Sequence, residues 1–159
     1  GYLYIIRNPE DPSLLKLGCS MNSWKRAKQH KSKCGLMISW VYISNCVEKM
    51  KRAERLAKID MAHLQEDWKC SLCSETHREW FCVDEAQARK VAQKWTEWIN
   101  EQKPYASSGE LTPLWAWLMD FGRVPRHGFE QDDHRARWAH WDGVLLAASR
   151  ADRKKFDSH

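Results

Sequence analysis

The chain has 159 residues, 43% of them hydrophobic, with ten tryptophans and a formal net charge of +5. That length holds one domain core and an extension but not two large domains, and the apolar content excludes a wholly disordered chain. No apolar run approaches the roughly 20 residues of a membrane span, and no secretory signal stands at the start, although a chain opening at Gly1 without Met reads as an excerpt.

Tyr2–Arg7 is a short β-rich run. Asn8-Pro9-Glu10-Asp11-Pro12-Ser13 is a turn by composition, and Leu14–Gly18 completes a hairpin. Asn22 or Ser23 can cap a helix to about Lys33, which Gly35 ends. Met37–Ser44 is a third strand. Val47–Gln65 is a long helix whose buried stripe is Met50, Ala53, Ala57, Met61 and Leu64, spaced by three or four. Trp68–His77 is a loop and Glu79–Val83 a short strand. Asp84 then caps a helix to about Gln102, with Ala88, Val91, Trp95, Trp98 and Ile99 on one face. Pro104–Gly109 is a linker. Thr112-Pro113 opens a short apolar helix, and a last helix runs from about Asp132 to Arg150 with Trp138, Trp141, Leu145 and Ala148 inward. The expected class is α+β: a small mixed or antiparallel three-stranded sheet flanked by helices, a domain over 1–103, and a helical C-terminal extension over 104–159.

Charge is unevenly spread. Between Lys16 and Lys58 stand eleven Lys/Arg against Glu48 and Glu54, a local excess of nine positive charges, while the rest of the chain is net acidic. Such a segment attracts polyanions.

Six cysteines are present. Cys70-x-x-Cys73-x-x-x-His77 supplies three ligands at knuckle-like spacing in a loop poor in apolar residues, which favours a metal clip over a disulfide framework. Cys19, Cys46 and Cys82 alternate with apolar residues and read as small core fillers.

Other chemistry-bearing residues are Tyr4 on the first strand, Lys16 and Gly18 on the second, and Arg26 and His30 four apart on one helix face. Glu54 is a carboxylate on an otherwise basic helix, at the border of its apolar stripe. By themselves Lys16 and Arg26 read as phosphate grips, Tyr4 as a plain strand aromatic, and Glu54 as a surface partner of Lys58 or Lys51.

GYLYIIR, then LKLGCSMNSWKRAKQH, then an AER helix resembles the GIY-YIG nuclease superfamily over Tyr2 to about Gln102. The similarity is to a divergent branch found in phage DNA-binding proteins and fungal meiotically upregulated proteins, which reads KIG for YIG and carries HxEWF. Here those are Lys16-Leu17-Gly18 and His77-Arg78-Glu79-Trp80-Phe81. The resemblance implies a DNA endonuclease in which Glu54 holds one Mg²⁺ or Mn²⁺, Tyr4 orients or deprotonates the water, and Arg26 clamps the phosphate. Lys16, in place of a tyrosine, would act as base or hold the phosphate. His30 is a lesser candidate for either role.

Structural Zn²⁺ takes four ligands, and Cys34, at the end of the first helix where fungal members share a cysteine, is the expected fourth beside Cys70, Cys73 and His77; His63 is the runner-up. The expected partner is DNA and not a membrane, in an intracellular setting that would be the nucleus in a eukaryote. A catalytically inactive zinc-stabilised DNA-binding module is the alternative. A third reading has the apolar C-terminal helices bind a protein partner.

Overall fold

The computed structural model describes residues 1–22, 39–121, 134–146 and 150–158. The expected first helix, with Arg26, His30 and Cys34, lies outside them. The chain divides into two compact units, Gly1–Glu101 and Gln102–His159.

The first unit is built on strands β1 (Tyr2–Arg7), β2 (Leu14–Ser20), β3 (Ser39–Ile43), β4 (Gln65–Lys69) and β5 (Thr76–Cys82), with helices α1 (Met50–Asp60) and α2 (Glu85–Gln102). The strands form one sheet in the order β3-β1-β2-β5-β4, and every neighbouring pair is antiparallel. The α+β class stands, and the sheet is wider than the three strands expected. A turn locks the first hairpin. Asn8 is fully buried; its Oδ1 accepts the N–H groups of Glu10 at 2.9 Å and Asp11 at 3.3 Å, and its own N–H donates to the Leu14 carbonyl at 3.0 Å. This side-chain turn is the device that Asn offers a loop.

The long helix expected over Val47–Gln65 is shorter. It stops at Asp60, a 3₁₀ turn follows over Ala62–Leu64, and Gln65 already begins β4. Ala53, Ala57 and Met61 are buried as the stripe required, whereas Met50 and Leu64 are half-buried. The break comes from tertiary contact. Asp60 is buried and its carboxylate accepts the Trp95 indole N–H at 3.0 Å, with Lys94 at 3.4 Å. β4 reads QEDWK, which has almost no β-propensity, and its residues are exposed apart from half-buried Trp68. It is a strand because β5 pairs with it, with an irregularity between Glu66 and Trp68.

Asp84 caps α2 through a 2.9 Å bond from the Gln87 N–H. The helix buries Ala88, Ala92, Trp95, Thr96, Trp98 and Ile99. Polar contacts anchor it at three places: Arg7 to Glu85 at 2.6 Å, Arg89 to the Val41 carbonyl at 2.7 Å, and Asn100 to the Cys46 carbonyl at 2.8 Å.

In the second unit a tight loop is closed by an isolated Tyr105–Leu111 bridge, with Gly109 at φ +87° where a side chain would be strained. Helices α3 (Pro113–Phe121), α4 (His134–Leu146) and α5 (Arg150–Asp157) follow. Pro113 takes the first helical position as expected. Trp115, Leu118 and Leu145 are buried, Trp138 and Trp141 half-buried. Ala148 lies outside the described residues. Among the described residues no helix is long and apolar enough to cross a membrane.

Candidate functional site

Strand pairing sets the site. Tyr4 stands opposite Gly18, and Ile6 opposite Lys16. Directly opposed residues share a face, so Tyr4, Ile6, Leu14, Lys16 and Gly18 line one side of the sheet. That side carries a buried cluster of Tyr4, Ile6, Leu14 and Trp80, against which Trp40 and Trp68 pack. Tyr4 is 1% exposed, and its ring meets Trp40 edge-on at 5.3 Å between centroids. It lies directly over Gly18: a Cβ there would sit 2.5 Å from both Cζ and Oη of Tyr4. Glycine at this position is therefore a requirement of the phenol's placement.

Lys16 is largely buried and forms an ion pair with the exposed Glu79 of β5. β2 and β5 are paired at Leu14–Cys82 and Leu15–Phe81, so the ion pair extends that junction one residue further along β2. Glu79 belongs to the HREWF segment, and sequence reasoning gave it no role; the signal available was its position in that motif.

Glu54 reaches β2 one residue beyond Gly18. Its Oε2 accepts the Cys19 thiol at 2.9 Å, and its Oε1 pairs with Lys58 at 2.9 Å. Strand alternation turns Cys19 to the face opposite Tyr4. The phenol and the carboxylate thus address adjacent residues of one strand, Gly18 and Cys19, from its two sides. Cys19 is a half-buried polar partner and not the core filler expected; Cys46 and Cys82 are exposed, so that expectation fails for them too. All three lie near strand or loop ends, where alternation no longer guarantees burial.

Burial, then the hydrogen bond to Glu54 and its negative charge, push the Cys19 thiol up to about 12, against the opposing pull of Lys58 and Lys51. Below that pH the group is a thiol and donates to the carboxylate, whereas the thiolate is the nucleophile. Iodoacetamide at pH 8 is accordingly expected to label exposed Cys46 and Cys82 well before Cys19, as read by peptide mass spectrometry; Cys19 labelling first would refute the placement.

The third feature is the hairpin between β4 and β5. Its turn is closed by the Cys70 N–H to the Glu75 carbonyl and the Ser74 N–H to the Cys70 carbonyl, both at 3.0 Å, with Ser74 at φ 59°. A non-glycine residue in that region costs about 1–2 kcal/mol, so something must hold the turn. Cys70, Cys73 and His77 present ligand atoms all within 4.8 Å of one another, with Cys73 Sγ and His77 Nε2 3.3 Å apart. Tetrahedral zinc with bonds of about 2.0–2.3 Å requires ligand separations of roughly 3.5–3.8 Å. Two thiols and an imidazole at this spacing fit a metal such as zinc. Cys70 is buried, and the His77 ring stacks on Trp68 at 5.6 Å, which fixes its plane. From the β1–β2 turn, Glu10 accepts the Ser71 hydroxyl and braces the same loop.

A buried tyrosine over a glycine, a carboxylate on a cationic helix and a Cys-Cys-His knuckle are thus the candidate functional groups of this small α+β domain. The profile of the T5orf172 domain matches residues 1–96. The chain belongs to the T5orf172 domain family, and this membership suggests a nuclease-like or DNA-binding function. No curated protein and no solved structure matches the chain.

Proposed function

We propose that the first unit is a divalent-metal-dependent DNA endonuclease of GIY-YIG-like type, with the β1–β2 hairpin and α1 as its active corner. The carrying observation is Glu54, a carboxylate held by Cys19 and Lys58 on a helix that otherwise presents Lys51, Arg52, Arg55 and Lys58. A hard cation would give a carboxylate in that cationic setting a use beyond its contacts with Cys19 and Lys58. The residues fit such an ion, since Mg²⁺ accepts one protein carboxylate and completes its shell with water and phosphate oxygens. When bound it would neutralise the phosphate and favour the hydroxide form of water.

The chain's own residues supply the remaining work. Tyr4, buried over Gly18 on the side of β2 away from Glu54, holds the strand that carries the site and does not itself meet the attacking water. Lys16, positioned by Glu79, meets phosphate oxygens, and Arg26 adds a planar guanidinium to the same task. His30 takes a supporting role in holding the phosphate. Cys34 completes the zinc site with Cys70, Cys73 and His77. DNA is the partner, drawn by the basic segment between Lys16 and Lys58.

One observation favours a second reading. Both Glu54 oxygens already hold protein partners, as they would in a binding module that never takes an ion. Supercoiled plasmid incubated with Mg²⁺, Mn²⁺ or chelator separates the two. Wild type is expected to nick DNA with metal, and Glu54→Ala to lose on the order of 10³-fold of that rate while still binding DNA. DNA binding by wild type without nicking in either metal would leave the binding module as the function.

A further inference from the structure

The C-terminal half of α1 carries an anomaly. Ile59 is 51% exposed, on a helix whose exposed side is otherwise cationic. It lines a groove of about 380 Å³ with Glu54, Arg55, Lys58, Ala62 and Gln65. That volume lies in the range of about 300–1,000 Å³ that receives a small-molecule-sized group, and it is far too small for a duplex. Its chemistry is divided. Arg55 and Lys58 suit phosphate. Ile59 and Ala62 offer an apolar wall that phosphate cannot use. Gln65, whose amide N–H donates to the Arg78 carbonyl at 2.6 Å, can present its amide oxygen to a donor.

Among the parts of a nucleic acid, a base face is the large apolar surface, and its edge carries the N–H donors. In a duplex that face is stacked and unavailable; in an unpaired strand it is free. We infer that this groove is a subsite for one unpaired nucleotide of a DNA strand, its base against Ile59 and Ala62 and its phosphate on Arg55 and Lys58. The inference rests on the DNA-binding part of the proposed function and sharpens it: the preferred substrate carries a single-stranded segment. Because Glu54 lines the same groove, the seated nucleotide lies beside the proposed ion ligand. Lys58 belongs to both places, so a phosphate drawing it into the groove would also free Glu54 Oε1.

The test is fluorescence anisotropy with a labelled single-stranded oligonucleotide and the blunt duplex of the same sequence, without added Mg²⁺ or Mn²⁺. Wild type should prefer the single strand. Ile59→Ser should weaken single-strand binding about three- to tenfold and leave the duplex unchanged, corresponding to about 1 kcal/mol of lost contact, while Ile59→Val retains wild-type affinity. Arg55→Ala should weaken both DNAs and lower the salt slope by about one; Lys90→Ala, an exposed cation on α2 outside the groove, should change neither. Equal binding of strand and duplex by wild type, or an Ile59→Ser variant that loses both equally or neither, overturns the subsite. Cleavage that depends on Glu54 but not on Ile59 would sink the groove and spare the nuclease. Failure to bind either DNA would sink both.

Discussion

Gly18→Ala is expected to destabilise the first unit by about 2–3 kcal/mol, the upper part of the range for overpacking a filled interior. The added methyl would lie 2.5 Å from Tyr4 Cζ and Oη and 2.9 Å from Cε2, distances that no carbon contact tolerates. The ring has little room to yield. It is buried in a cluster with Ile6, Leu14 and Trp80, with Trp40 edge-on against it. Glycine in a strand interior is otherwise unfavourable, so the expected loss runs against the intrinsic propensity and isolates the packing effect. For a unit of this size a 2–3 kcal/mol loss lowers the melting temperature by roughly 10–20 °C. Tyr4→Ala relieves the same clash, so the double variant should be more stable than the sum of the two losses predicts. Thermal melting of the four proteins measures this coupling. Gly18→Ala melting at the wild-type temperature would mean that the phenol does not lie over β2.

Cys70→Ser is expected to abolish zinc binding and to cost several kcal/mol, with the damage concentrated in β4 and the β4–β5 turn. Zinc binding free energy in knuckle-type sites is folding free energy, about 10–16 kcal/mol in small zinc domains near neutral pH. β4 and the turn have few other means of support, whereas β5 is held by buried Trp80 and Phe81 and by pairing with β2. β4 exposes nearly every side chain and pairs with β5. Ser74 sits in a backbone region that disfavours side chains. Trp68, packed on His77 and Trp80, is the main apolar anchor of β4. Elemental analysis of the purified protein should give one zinc per chain for wild type and much less for the variant. Hydrogen exchange should show β4 and the β4–β5 turn losing protection first. A wild-type protein free of zinc, or one whose melting is unaffected by a chelator, would reject the structural metal. Trp68 extends from the knuckle toward Trp80 and hence to the Tyr4 cluster, so zinc loss should also disturb the environment of Tyr4.

Several parts of this architecture were legible in local pattern. The β1–β2 hairpin follows from a turn-forming Asn8–Ser13 segment between two apolar runs, and α2 from Asp84 as cap with apolar residues spaced by three and four. Cys70, Cys73 and His77 announced themselves because metal-ligand spacing is a local property. The end of α1 did not. Met61 and Leu64 continue the helical spacing past Asp60, and the residue that interrupts it does so by meeting Trp95, 35 positions away. β4 was illegible for a related reason: Gln65, Glu66 and Asp67 resist extended structure, and pairing with β5 imposes it.

The candidate site divides along the same line. The sequence by itself supplied the candidate chemistry: Tyr4 and Lys16 on a hairpin, Glu54 within a basic stretch, and a knuckle of soft ligands. Side-chain type and near-neighbour spacing are enough for that. Tertiary structure alone decided that Tyr4 lies across Gly18, that Lys16 is paired with Glu79, and that Glu54 is held by Cys19 while Lys58 shares it with an adjoining groove. These are contacts between separate elements, governed by register and packing, and no periodicity along the chain encodes them.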